Sequence, residues 1–342
     1  MAVAPSFPLY ELPKDELRWV IRFMDPNALF KLSLLSKRSK DLVTSRNWKA
    51  VRITILVSQS IQIRCSLNRF SGVICYLQTD NSSLKKIINP SEISILEPSR
   101  ERKRYQWKIE GFEAMDWVNH FRTIFHQKEI TFSLFRDASQ FDLDSLCQQF
   151  PAVPSFLGLQ ECVDFDFNNR VLKMLAPKQM LLVSTAVFEN KTTLHEALVQ
   201  NIDELDIGGS DQKLTLDGLL CSNSKRIRSD VWRISSNVLN KFLKLWKSGS
   251  NSRLEQLCVS FIDLQGLEVL MKGIPHRVVS REENEQRRFK LSNGRIEALE
   301  GEGMDFNRFD GTKATVCIKE RDTWAFLYFY VWHDHCIVNK VL

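Results

Sequence analysis

A chain of 342 residues with 44 % hydrophobic and 26 % charged side chains has room for two or three domains, or for a small module beside a larger repeat architecture. Its net charge of +6 is spread thinly, which gives nucleic-acid binding no support, and no stretch is apolar for long enough to span a bilayer, so neither nucleic acid nor membrane is expected as a partner. The first residues lack the basic and apolar regions of a secretory signal. The expected address is therefore the cytosol or nucleus, where the eight scattered cysteines, none in a C-x-x-C pair, stay free thiols and the sequons at Asn81 and Asn190 carry no weight.

Three short helices open the chain. Leu12-Pro13 leads into a pattern in which Leu17, Val20, Ile21 and Met24 recur at i, i+3, i+4 and i+7, giving about two turns with one apolar face. Asp25-Pro26 ends that helix and starts the next, because Asp is a good N-cap and Pro suits the first helical position; the second helix carries Leu29 and Leu32. Ser36 can cap a third, which runs through Lys37-Arg38-Ser39-Lys40 to Leu42 and Val43 with its basic residues outward. Helices this short cover little surface for one another, yet the segment also offers Leu9, Leu34 and Leu35, so a protein partner laid over them is expected.

The succession Phe7-Pro8-Leu9, Leu12-Pro13, Met24-Asp25-Pro26, Leu29, then Leu32-Ser33-Leu34-Leu35-Ser36-Lys37-Arg38-Ser39, resembles the F-box. That resemblance implies docking on a Skp adaptor and, through it, on a cullin scaffold. It carries over Leu9, Leu12, Pro13, Leu17, Val20, Ile21, Met24, Pro26, Leu29, Leu32, Leu35, Ser36 and Lys37 as expected adaptor contacts.

From Val51 the period becomes two: Val51, Ile53, Ile55 and Val57, then Ile61, Ile63, Cys65 and Leu67, predict antiparallel strands around Ser58-Gln59-Ser60, with a third at Val73 to Leu77. Thr79 to Tyr105, polar, with Pro90, Pro98 and the run Arg100-Glu101-Arg102-Lys103-Arg104, reads as a surface loop. Ala114, Trp117, Val118, Phe121, Ile124 and Phe125 then share one helical face, expected to be core.

Beyond residue 128, strand-like runs alternate with helical ones. Strands are expected near Glu129 to Phe135, Cys162 to Phe167, Met180 to Val183, Glu204 to Ile207 and Leu254 to Phe261, with helices around Leu143 to Phe150, Val171 to Leu175, Leu194 to Val199 and Val238 to Trp246. Spacings of about 20 to 30 residues suit a degenerate leucine-rich-repeat-like array with a largely parallel sheet. Asp310-Gly311 marks a hairpin between Met304 to Phe309 and Thr312 to Ile318, and Trp324 to Trp332 is apolar enough to be covered on both faces and to close the end of the array.

The most informative part of this half is Ser235 to Glu255. Ser235 can cap a helix whose Leu239, Phe242, Leu243 and Trp246 share a face, Gly249 can end it in a left-handed conformation, and Asn251-Ser252-Arg253-Leu254-Glu255 leads into a strand. This stretch resembles the type-2 F-box-associated domain of a nematode-expanded family, over roughly Met180 to Phe261. Many members carry Pro where this chain has Ser252. The resemblance implies a substrate-binding role, without naming substrate contacts.

No nucleophile elbow, P-loop or dinucleotide glycine fingerprint is present, and Gly208-Gly209-Ser210 is expected to be a loop. The nearest approach to a metal motif is His333-Asp334-His335-Cys336, expected to be a polar strand end because no further ligand lies nearby in sequence. No catalytic residue, metal or cofactor is therefore expected. The resulting reading is an α+β chain: F-box at 7–47, a β-meander, loop and amphipathic helix at 48–127, an irregular α/β repeat-like region at 128–275 with the associated domain at about 180–261, and a β-rich C-terminal cap at 276–342. Its expected role is that of a non-catalytic substrate receptor of a Skp-cullin-F-box ubiquitin ligase for an unknown protein; the alternative is a repeat-type scaffold whose F-box serves assembly without ubiquitin transfer.

Overall fold

A computed structural model describes residues 9–68, 71–96, 104–162, 164–184, 187, 196, 198–209, 215–229, 234–261, 267–292, 294–321 and 324–338. Phe7-Pro8, Arg100 to Lys103, Asn190, Ser210 and most of the predicted helix at Leu194 to Val199 lie outside the described residues. The chain forms two compact units, Met1–Pro154 and Ser155–Leu342. A helical N-terminal region followed by mixed β-structure makes it α+β.

The first unit begins with α1 (Lys14–Phe23), α2 (Pro26–Ser33) and α3 (Lys37–Thr44) and continues through β1 (Arg52–Val57), β2 (Ile61–Ser66), β3 (Gly72–Leu77), β4 (Glu92–Leu96), β5 (Arg104–Lys108), α4 (Ala114–Ile124), β6 (Ile130–Leu134) and α5 (Leu143–Gln149). Its strands lie in the order β6-β1-β2-β3-β4-β5, antiparallel except for the parallel β1–β6 pair, and α4 leads from β5 into β6. The core is where period two points it: Ile53, Ile55 and Val57 of β1 and Ile61 and Ile63 of β2 are fully buried.

The loop expected over Thr79 to Tyr105 contains β4 and the start of β5 instead. Ile93 and Ile95 of β4 are fully buried opposite Leu77 and Cys75, and β5 pairs along β4 as an edge with exposed Arg104 and Lys108. Ile93, Ile95 and Leu96 are a short apolar run between Pro90 and Pro98, so pairing with β3 more than its own pattern makes β4 a strand. Charged side chains along β5 oppose further edge pairing.

The second unit contains β7 (Phe156–Leu159), α6 (Phe165–Met174), β8 (Met180–Ser184), β9 (Glu204–Gly208), α7 (Leu216–Cys221), β10 (Arg226–Ser229), α8 (Ser236–Lys247), β11 (Gln256–Phe261), α9 (Leu267–Leu270), β12 (Arg277–Val279), α10 (Arg281–Glu285), β13 (Arg288–Lys290), β14 (Ile296–Ala298), β15 (Gly303–Asn307), β16 (Lys313–Arg321) and β17 (Trp324–Val331). Strands β7-β8-β9-β10-β11 run parallel, and β17, β16, β15 and β12 extend the sheet antiparallel. β13 and β14 form a separate hairpin.

The strand expected at Cys162 to Phe167 is the start of a helix. Val163, Phe165 and Phe167 mimic period two, but the Asp164 carboxylate accepts from Phe167 N–H at 2.9 Å and caps α6, which buries Phe167, Val171 and Leu172. The strand precedes it, at β7. β10 was not expected either: Ile227 is its one large apolar residue, and pairing on both sides with β9 and β11 defines it. The predicted hairpin is present, with Gly311 at φ 89° and Asp310 accepting from Thr312 N–H at 2.9 Å. β17 lies between β11 and β16 with Leu327, Phe329 and Val331 fully buried, and so ends the parallel run.

Buried asparagines hold the loops of this unit. Asn168 Nδ2 donates to the Cys162 and Val187 carbonyls at 2.9 and 3.0 Å, and Asn240 Nδ2 to those of Leu270 and Lys272 at 2.8 and 3.0 Å. Each satisfies two loop carbonyls that water cannot reach freely.

Candidate protein-docking surface

The helical module is built from local caps. Asp25 accepts from the N–H groups of Asn27 and Ala28 at 2.8 and 3.0 Å, and Ser36 from that of Ser39 at 3.1 Å, as their positions before Pro26 and Lys37 predict. Arg46 closes the other end of α1: its guanidinium donates to the Ile21 and Arg22 carbonyls at 2.8 Å each and to that of Met24 at 3.3 Å, with Trp48 stacked 3.3 Å below it. A cation is thereby placed where the helix dipole is negative. Partial burial, with Arg22 adjacent, lowers the Arg46 pKa. Tyr10 reaches α3 through a hydroxyl contact with Ser39, under the Arg38 guanidinium at 4.6 Å.

Part of the surplus apolar surface of the module is covered by its own chain. Phe30 stacks on Phe121 of α4 with centroids 4.4 Å apart, and the Ser33 hydroxyl donates to the Phe30 carbonyl at 2.6 Å while accepting from His120 Nε2 at 2.7 Å. Since the hydroxyl proton is committed, His120 must carry its proton on Nε2. Burial, with Lys40 nearby, pushes the His120 pKa down to about 4, so the imidazole is neutral at physiological pH.

The expected contact residues therefore divide. Leu17, Ile21, Leu29 and Leu32 are buried in the module's own core. Leu9, Leu12, Met24 and Pro26 are half-buried, while Pro13, Val20, Leu35, Ser36 and Lys37 are exposed. The inward four shape the surface from beneath, and only the others present atoms to a partner in this conformation. The largest exposed side chains of α1 were not among those expected: Trp19 is 58 % and Phe23 78 % exposed, and they stack on each other at 5.6 Å. Their i, i+4 spacing was the available signal. Trp19 also lines a 460 Å³ surface cavity with Arg22, Leu42 and Arg46. Two aromatic rings held in water this way form an anchor that a protein partner can bury.

In the second unit, α8 and the turn after it are structural. Leu239, Phe242, Leu243 and Trp246 face the core. The helix ends with Gly249 N–H donating to the Trp246 carbonyl at 2.9 Å and Ser250 N–H to that of Leu245 at 3.1 Å, which is the Schellman arrangement. Gly249 has φ 119°, and a Cβ there would lie 2.9 Å from Phe309. Where a proline could have stiffened the turn, Asn251 does so: at φ 47° it donates from Nδ2 to the Leu219 and Ser222 carbonyls at 2.9 and 2.8 Å. Arg253 reaches Asn201 at 3.0 Å and Asp203 at 3.4 Å.

The sheet face opposite α8 is polar. Arg226, Arg228, Cys258, Tyr328 and Lys319 line a 560 Å³ cavity together with Arg295 and Glu297 of the β13–β14 region. Arg226 pairs with Glu204 at 3.5 Å, and Lys319 with Glu300 at 3.1 Å, its ammonium 4.4 Å from the Tyr328 ring.

Two family models match the chain: F-box domain over residues 9–50 and F-box associated over residues 193–259. No curated protein and no solved structure matches it.

Proposed function

We propose that this F-box protein is the substrate-recognition subunit of a Skp-cullin-F-box ubiquitin ligase: the module at 9–50 docks on a Skp adaptor, and the second unit holds a target protein. The observation that carries the reading is the exposed Trp19–Phe23 pair, with Leu35 also exposed, on a module that the F-box family model matches. Such a receptor works by proximity, raising the local concentration of target lysines beside a ubiquitin-charged enzyme held elsewhere on the cullin scaffold. The chain contributes binding energy and orientation and no catalytic group. It acts in the cytosol or nucleus, as its free cysteines favour. The strand and helix alternation from β7 to β11 supports a leucine-rich-repeat-like reading of the target-holding unit, and its polar face around Arg228 and Tyr328 is the first surface on which to look for a target.

The test is capture of a purified Skp adaptor by the full chain. Replacing half-buried Leu12 and exposed Pro13 by alanine removes an anchor worth upward of about 2 kcal/mol, so affinity should fall by more than an order of magnitude. A folded double variant that binds the adaptor as tightly as the parent would rule out this docking site.

A further inference from the structure

The exit of β17 folds back on the entrance of β11. Val331 N–H donates to the Glu255 carbonyl at 2.8 Å, and the chain then makes a 3-10 turn, Asp334–Cys336, in which Cys336 N–H donates to the His333 carbonyl at 2.8 Å. The segment expected to be a polar strand end is a turn instead, with His333 at its N-cap. The turn stacks the His333 and His335 rings at 5.6 Å and carries His335 and Cys336 onto Glu255.

The ligand atoms of Glu255, His335 and Cys336 all lie within 4.8 Å of one another. The Glu255 and Cys336 side chains are buried, whereas His335 reaches solvent, so the cluster has a closed floor and an open mouth. The floor is apolar: Cys336 packs with Phe289, Leu291, Leu299 and Tyr330. His333 stands outside the cluster as a support, its Nε2 donating to the Leu254 carbonyl at 3.0 Å while its ring braces His335.

We propose that Glu255, His335 and Cys336 form a binding site for a divalent cation of the zinc class, with three protein ligands and a fourth position open to solvent. Sulfur, imidazole nitrogen and carboxylate oxygen together match zinc, whereas magnesium or calcium would require an all-oxygen set. The hydrogen bond from His335 Nε2 to Glu255 at 2.9 Å accounts for two members of the cluster. It leaves unexplained a thiol set against a buried carboxylate, an arrangement that a shared cation stabilises. Lys225 and Lys290 lie near the thiol, but Lys225 is already paired with Asp203 at 2.9 Å. Binding would exchange the Cys336 thiol proton, released to bulk water, for the metal, and would pin the C-terminal turn to the start of β11.

The full chain, without a histidine tag and stripped by chelator, is titrated with Zn²⁺ against a chromophoric chelator and separately with Co²⁺. The expected result is a single zinc ion retained per chain and a thiolate-to-cobalt charge-transfer band. Cys336→Ser should abolish that band, exposed His335→Ala should weaken zinc binding roughly tenfold or more, and Cys221→Ser, a solvent-exposed thiol, should leave both unchanged. His335→Ala decides the matter alone should Cys336→Ser not fold by circular dichroism. Failure to retain zinc, a cobalt spectrum without charge transfer, or a zinc affinity unchanged by His335→Ala overturns the proposal and leaves adventitious binding only.

Discussion

Helices α1 and α8 both carry two aromatic rings at i, i+4, and their fates are opposite. Phe242 and Trp246 of α8 are fully buried, with Trp246 meeting Phe329 and Phe306 edge-on at 4.9 and 5.7 Å. Trp19 and Phe23 of α1 pack against each other and otherwise face water. The difference is one of face. On α8 the aromatics lie on the same stripe as Leu239 and Leu243, whereas on α1 the inward stripe is Leu17 and Ile21 and the rings stand off it. An aromatic pair on the inward stripe holds a fold together; one off it stays in water.

The most damaging way to probe this contrast is Trp246→Ala, which leaves a cavity among Phe306 and Phe329 and should cost about 3–5 kcal/mol in denaturant unfolding. Asp305→Ala should come close to it, at about 3 kcal/mol. Burial disfavours ionisation of Asp305, but Arg287 at 2.8 and 3.0 Å, Thr315 at 2.6 Å and Lys313 at 2.9 Å overcome this and hold its carboxyl far below the usual range; deletion would take two of the hydrogen bonds of Arg287 and leave it paired with Glu283 at 2.9 Å. A loss under about 1 kcal/mol would show that the network contributes little.

Trp19→Ala with Phe23→Ala is the converse. Unfolding should move by no more than about 0.5 kcal/mol, while affinity for a Skp adaptor falls more than tenfold. A variant that loses stability instead would place these rings in the fold and not in an interface.

Two finer tests address how each unit is held. Asn251→Gly keeps the left-handed backbone and removes both hydrogen bonds to α7 and its exit, so thermal unfolding should report a loss of about 1–2 kcal/mol. The His120 effect is the smallest, and it shows only in acid, where the stability its neutral ring contributes is lost. Its folded pKa of about 4 lies below the value near 6.5 of the unfolded chain, so the unfolded state takes up the proton first as pH falls. The contribution is complete above pH 6.5 and is lost toward pH 4, at no more than about 1.4 kcal/mol per pH unit. Relative to His120→Gln, the parent should lose stability more steeply across that window; parallel curves would exclude a neutral, buried role for the ring.

Much of what is enforced by neighbours in the chain was legible beforehand, although the Asp164 cap of α6 was not. Caps at Asp25, Ser36 and Ser235, the Gly249 helix end and the Asp310-Gly311 turn are each decided by a side chain or a φ angle within a few residues. So were β1 and β2, whose alternation is long enough to assign each residue a face. The F-box module was recognisable for the same reason, although the contact set expected for it mixed residues that point inward with residues that point out.

Only the tertiary structure could decide the rest, because the energy comes from groups far apart in sequence. β4 and β10 are strands because β3, β9 and β11 lie beside them. That α4 covers Phe30 while no described residue encloses Phe23 follows from which helix packs where. The sequence by itself determined the locally capped helices, the long alternating strands and the presence of an F-box module. The fold decided which apolar atoms remain in water and brought Glu255 to His335 across 80 residues, because burial and ligand geometry depend on contacts through space that sequence spacing does not encode.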